Sequence, residues 1–75
     1  MDPAVAFGHT LRKVRKDAKI TQEELALAAG IERNYVSLIE RGINQPTIRV
    51  IFRLALALDV APSELILKTE QELER

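Results

Sequence analysis

The chain has 75 residues and no net charge at pH 7, and hydrophobic residues make up 47% of it while aromatic residues make up only 4%. Such a length forms one small domain with a limited core, and this composition suits helices packed through Ala, Leu, Ile and Val. The sequence has no cysteine, which excludes disulfides and thiolate metal sites, and no stretch that predicts a membrane span or a secretory signal. We therefore expect a cytoplasmic protein without a membrane partner.

Charge is distributed unevenly along the chain. Residues 1–58 contain nine basic and six acidic residues, whereas residues 59–75 contain two basic and five acidic ones. A basic N-terminal part and an acidic C-terminal part would allow one face of the molecule to approach phosphates. A merely solvated helix surface would give the same counts, so charge alone does not decide between nucleic-acid binding and another role.

The first predicted helix has Asp2 as its N-cap and Pro3 at its first position, and it should stop near Lys19. Residues at helical spacing form its apolar face: Phe7, Leu11, Val14 and Ala18. The opposite face is basic. His9 is the only histidine, and we interpret it as a solvated or partly packed residue because the sequence offers no second ligand for a metal.

Residues 22–42 predict two short helices joined by a tight turn at Gly30. Thr21 and Glu24 have the spacing of a capping box, so the first helix should run from 22 to 29, and the second from 33 to 41. Gly30 can adopt positive φ, which a sharp turn after a helix requires. The residues that would pack these helices together are Leu25, Ala26, Ala29, Ile31, Val36 and Ile39. An ordinary helical hairpin in a bundle is the alternative interpretation.

The second helix of this pair carries the candidate binding face. Opposite its buried side lie Arg33, Asn34, Ser37, Leu38 and Arg41. Arg can donate two hydrogen bonds to guanine, Asn can pair with adenine, and an apolar side chain can contact a thymine methyl group. We expect the first four residues to meet base edges and Arg41, at the far end, to meet a phosphate. Tyr35 lies at the flank, where its hydroxyl could reach phosphate; taken singly, each is equally a solvated surface residue.

The last part of the chain predicts two more helices. Thr47 should cap a helix over residues 48–58, and Pro62 should start the next, with Asp59 in a left-handed conformation between them. Predicted core residues are Ile48, Ile51, Phe52, Ala55 and Leu58. Surplus apolar surface remains at Val50, Leu54, Leu56, Leu65, Ile66 and Leu67. This surplus on so small a domain predicts a homodimer through helices four and five, residues 47–73.

Three stretches, ITQEELALAAG, YVSLIERG and PSELI, resemble the Cro/repressor-like helix-turn-helix family, also called the XRE family. The resemblance covers about residues 11–66. It implies an all-α, five-helix, phage-repressor-like DNA-binding domain over residues 1–75, with its helix-turn-helix core at 22–42. The spacing RxYxS, which also occurs in controller proteins of restriction–modification systems, is present in this chain; phage-like repressors and antitoxins remain open.

The same resemblance assigns roles to residues outside the binding face. It implies a structural ion pair between Arg15 and Glu40. It also implies DNA phosphate contacts for Gln22, Asn44 and Gln45. For Gln22, the position at a helix N-terminus independently favours an anion.

Two classes of function compete. The first is a homodimeric, sequence-specific transcriptional regulator that binds a palindromic operator in double-stranded DNA, with RNA polymerase as a further candidate partner if it activates. The second is an antitoxin or adaptor module whose apolar helices bind a protein. Steeply salt-dependent DNA binding would favour the first. An enzyme is the weakest hypothesis, because the sequence offers no nucleophile–His–acid set, phosphate-cradling loop or metal cluster, and we expect no cofactor.

Overall fold

The computed structural model describes all 75 residues and contains five helices and no strand. In chain order they are α1 (Pro3–Asp17), α2 (Gln22–Ala29), α3 (Arg33–Glu40), α4 (Ile48–Ala57) and α5 (Pro62–Leu73). The all-α, five-helix prediction is confirmed, and the predicted ends differ from the observed ones by at most two residues. None of these helices combines the length and apolarity required to cross a lipid bilayer.

The predicted N-caps are present at three helices. Asp2 Oδ1 accepts a hydrogen bond from the Ala4 backbone N–H at 2.7 Å. Thr21 and Glu24 form the capping box, with reciprocal hydrogen bonds of 3.0 and 2.8 Å between side chain and backbone. Thr47 Oγ1 accepts from the backbone N–H of Val50 at 3.2 Å. These local hydrogen bonds explain why the helices begin where the sequence indicates.

Helices α1 to α4 end in the same Schellman-type turn, with one residue in the left-handed conformation. That residue is Gly30 after α2 and Gly42 after α3, with φ of 72° and 75°. After α1 and α4 the position holds Lys19 and Asp59 instead, with φ of 61° and 58°. The left-handed conformation predicted for Asp59 is confirmed.

The core lies where all five helices meet. Helix α1 packs against α3 and α5, α2 packs against α3 and α4, and α4 packs against α5. The largest fully buried side chains are Leu11, Leu25, Val36, Ile39, Leu54 and Leu65. At Gly8, α1 lies directly on the end of α3: a Cβ there would be 2.8 Å from the carbonyl oxygen of Glu40 and closer still to that of Ile39.

The predicted core face of α4 was partly wrong. Ile48 and Phe52 are 70% and 57% exposed, whereas Val50 and Leu54 are buried together with Ala55 and Leu58. The reason is that α4 carries two apolar stripes. The stripe containing Val50 and Leu54 faces the other helices, and the outer stripe, defined as Ile48, Phe52 and Leu56, faces solvent.

Two further sequence predictions about packing need correction. Ala18 is exposed because α1 ends at Asp17 and Ala18 already belongs to the turn, while Val14 is only half-buried. Of the residues assigned to a dimer surface, Val50, Leu54 and Leu65 are buried within the protomer. They are therefore unavailable to a partner, whereas Leu56, Ile66 and Leu67 remain exposed.

Candidate nucleic-acid interface

The α2–turn–α3 unit holds α3 at a fixed angle across α2. Ala26 is buried where the helices approach each other, and its carbonyl accepts a hydrogen bond from the Ile31 backbone N–H at 3.0 Å. The left-handed Gly30 reverses the chain between them, and Ile31 packs against the core as predicted. These contacts determine which side of α3 faces outward.

Helix α3 buries one side and presents the other. Val36, Ile39 and Glu40 are buried. On the opposite side Arg33, Asn34 and Arg41 are exposed, while Ser37 and Leu38 are half-buried. Tyr35 is half-buried because it packs against the core cluster, which places it at the flank of the helix. The predicted binding face is therefore continuous in the folded chain, and its outermost groups are two guanidinium groups and an amide.

The buried ion pair between α1 and α3 is confirmed. Arg15 Nε donates to Glu40 Oε2 at 2.6 Å, and Arg15 Nη2 donates to Glu40 Oε1 at 3.0 Å. The two side chains are only 10% and 3% exposed. A third donor, Arg15 Nη1, reaches the carbonyl of Ile20 at 2.9 Å. Arg15 thus fixes both the end of α3 and the link between α1 and α2.

Gln22 joins this network, which the sequence did not predict. Its Nε2 donates a hydrogen bond to Glu40 Oε1 at 3.0 Å, and the residue is half-buried. The buried Glu40 carboxylate therefore fixes the orientation of the Gln22 amide at the start of α2. This hydrogen bond uses one of the two amide hydrogens of Gln22.

The loop after α3 holds the other two predicted phosphate contacts. The carbonyl of Leu38 accepts hydrogen bonds from the backbone N–H groups of Ile43 and Asn44, at 3.0 and 3.3 Å. Asn44 is half-buried and Gln45 is exposed. The loop is thus tied to α3, on the side of the molecule where that helix ends.

An open cleft at the start of α3 is lined by several cations, and residue spacing in the sequence does not predict it. Lys16 and Lys19 line it together with Arg33, and Gln22 is also part of the lining. The only carboxylate lining the cleft is Glu23. The sequence signal for this cleft is Lys19, which follows the C-cap residue Ala18 at a position where glycine is preferred.

Comparison with known proteins identifies relatives along nearly the whole chain. A helix-turn-helix family model matches residues 11–65. The uncharacterised regulator y4dJ of Sinorhizobium fredii, of the helix-turn-helix type, is 34% identical over 71 residues, covering 95% of this chain and 92% of the relative. Control protein C.BamHI of Bacillus amyloliquefaciens is 34% identical over 61 residues, covering 80% of this chain and 75% of its own.

Solved structures of controller proteins superpose on this chain. The restriction–modification controller C.AhdI from Aeromonas hydrophila superposes with a TM-score of 0.81 at 42% identity, over 83% of this chain and 94% of that one. The controller C.Esp1396I, solved as a tetramer on its natural 35 base-pair operator, superposes with a TM-score of 0.91 over 100% of this chain and 99% of that one. At 24% identity the second likeness shows the fold alone. The family model, the relatives and the helix-turn-helix geometry agree, and the chain belongs to the XRE-type helix-turn-helix family of transcriptional regulators, which includes restriction–modification controller proteins.

Proposed function

We propose that the protein is a sequence-specific transcriptional regulator that binds a palindromic operator as a homodimer in the cytoplasm. The observation that carries the proposal is the face of α3. Burial of Val36 and Ile39 turns Arg33 and Asn34 outward, and these side chains offer the donors and acceptors that distinguish base pairs in the major groove. We assign α3 as the recognition helix.

We divide the residues of this surface into those that contact bases and those that contact phosphates. Base contacts are assigned to Arg33, Asn34, Ser37 and Leu38. Phosphate contacts are assigned to Gln22, Tyr35, Arg41, Asn44 and Gln45. The division follows position, since the first group lies on the outward face of α3 and the second lies at its end or flank, at a helix start or in the adjoining loop.

The partner in the homodimer would cover the apolar surface that α4 and α5 leave open. Phe52 and Leu56 are 57% and 83% exposed, and Ile66 and Leu67 on α5 are 42% and 53% exposed. Burial of such side chains favours association. A two-fold axis at this surface would place two recognition helices about 34 Å apart, which corresponds to half-site centres about 10 bp apart.

Control of a restriction–modification system is the physiological role that we propose within this class. The similarity to C.BamHI and C.AhdI supports it, together with the RxYxS spacing of Arg33, Tyr35 and Ser37 in the recognition helix. If such a controller activates transcription, RNA polymerase would be its second partner.

The test is a selection of bound sequences from random double-stranded DNA at fixed salt, followed by affinity measurement on the selected site. We expect a palindromic motif whose half-sites are about 10 bp apart, and affinity that falls steeply as salt rises. Failure to enrich any sequence, with tight binding to a co-encoded protein instead, would favour the antitoxin or adaptor hypothesis.

A further inference from the structure

Three cations beside the recognition helix have no partner within the protein. Lys16, Lys19 and Arg33 line the cleft between the end of α1 and the starts of α2 and α3. None of them forms an ion pair, because the three ion pairs of the structure involve other basic groups. Glu23 is the single acid in the lining. The cleft is therefore a cationic surface open to solvent, and like charges held together in this way favour an anionic ligand.

Lys19 also has an unusual backbone conformation. The backbone N–H of Lys19 donates a hydrogen bond to the Lys16 carbonyl at 2.9 Å, and the backbone N–H of Ile20 donates one to the Arg15 carbonyl at 3.4 Å. These two hydrogen bonds define a Schellman turn. Lys19 occupies the left-handed position with φ of 61°. A β-carbon is unfavourable in that conformation, which glycine adopts without strain.

The turns after the other helices provide an internal comparison. The same position is glycine after α2 and α3, and it is Asp59 after α4. Asp is one of the residues that tolerate the left-handed conformation through local hydrogen bonding, whereas Lys has no such compensation. Lys19 is thus the residue whose side chain is least suited to its backbone conformation, and it is one of the residues that line the cleft.

We infer that Lys19, with Lys16 beside it, binds a backbone phosphate of the operator next to the base pairs that Arg33 reads. This rests on the proposed function, because it requires DNA on the outward face of α3. The ligand is a DNA phosphate, since the cleft opens beside the recognition helix and a bound duplex would bring its charged backbone there. The contact positions the protein on the duplex and does not read sequence.

The experiment compares three variants by thermal unfolding and by DNA affinity at several salt concentrations. Lys19→Gly removes both the charge and the strain. Lys19→Gln removes the charge and keeps the strained backbone. Lys13→Gln removes a lysine of α1 that lies outside the cleft, in the groove that α1 forms with α5, and serves as the charge-matched control.

Opposite changes in stability and affinity are expected for Lys19→Gly. Its Tm should rise by about 3–6 °C because the left-handed position then holds glycine. Its affinity for specific and scrambled duplexes should fall by about eightfold per bound subunit at 0.1 M salt, with a salt slope shallower by about one per subunit. Lys19→Gln should show the same affinity loss without the rise in Tm, and Lys13→Gln should change neither the Tm nor the affinity.

A selected duplex with single neutral methylphosphonate linkages locates the phosphate. The wild-type protein should lose affinity when one particular linkage per half-site is neutralised. The Lys19→Gln variant should bind this modified duplex and the unmodified duplex with equal affinity. If both Lys19 variants bind with the wild-type affinity and salt slope, the inference is overturned while the proposed function stands. If the wild-type protein binds no DNA, the proposed function fails and the inference fails with it.

Discussion

At the scale of single residues, the Arg15–Glu40 pair is the interaction whose loss should cost the most stability. Both side chains are almost fully buried and share two hydrogen bonds. Glu40→Ala would leave the Arg15 guanidinium buried opposite an empty site, and would also remove the acceptor for Gln22. We expect the free energy of unfolding to fall by about 3 kcal/mol, as measured by urea denaturation.

A matched ion pair at the surface provides the control. Arg75 contacts Glu72 at 3.3 Å, but the Arg75 side chain is 70% exposed. Arg75→Ala should leave the unfolding transition unchanged, because solvent screens such pairs and they contribute little. Equal stability of the Glu40→Ala variant and the wild type would show that the buried pair does not hold α1 and α3 together.

At the scale of helices, the crossing of α1 over the end of α3 depends on the absence of a side chain at Gly8. Inside a helix, replacing glycine by alanine normally stabilises by about 1 kcal/mol. Here the new methyl group would collide with the Ile39 and Glu40 carbonyl oxygens. We therefore expect Gly8→Ala to destabilise the fold by about 1–3 kcal/mol, while Arg12→Ala on the exposed side of the same helix should have little effect. A more stable Gly8→Ala variant would contradict this close approach.

The helix boundaries could be predicted because their causes are local. A cap or a left-handed turn involves residues within a few positions of one another, so Thr21, Glu24 and Gly30 identify α2 without knowledge of the fold. The buried side of α3 was also predictable, because Val36 and Ile39 share one side, whereas Leu38 is the only aliphatic residue on the opposite side. The candidate binding face is the complement of that buried side and was predicted with it.

Other features depend on how helices meet and could not be read from spacing. Helix α4 is apolar on two sides, and periodicity does not say which side faces the core, so Ile48 and Phe52 were misplaced. The need for glycine at position 8 arises only from the approach of α3, a distant segment of the chain. The hydrogen bond from Gln22 to Glu40 likewise joins residues that are 18 positions apart.

At the scale of the whole molecule, the dimer should depend on the outer stripe of α4 together with the exposed residues of α5. Leu56→Glu would place a charge in the proposed interface, and we expect the protein to sediment as a monomer at tens of micromolar. Leu27 is a suitable control because it is 84% exposed, against 83% for Leu56, and belongs to α2 and not to α4 or α5. Leu27→Glu should remain dimeric. A wild-type protein that is monomeric at this concentration both with and without DNA would exclude the proposed dimer.

The most direct test of the DNA-reading role of α3 compares Arg33→Ala with Arg41→Ala on specific and scrambled duplexes at several salt concentrations. Arg33 lies at the start of the outward face, and Arg41 at its far end. Arg33→Ala should lose about 1–3 kcal/mol on the specific site, with relaxed preference at one base position and a smaller loss on scrambled DNA. Arg41→Ala should weaken both duplexes alike and lower the salt slope by about one per subunit. If Arg33→Ala weakens both duplexes equally, Arg33 holds phosphate and the assignment of the reading face is wrong.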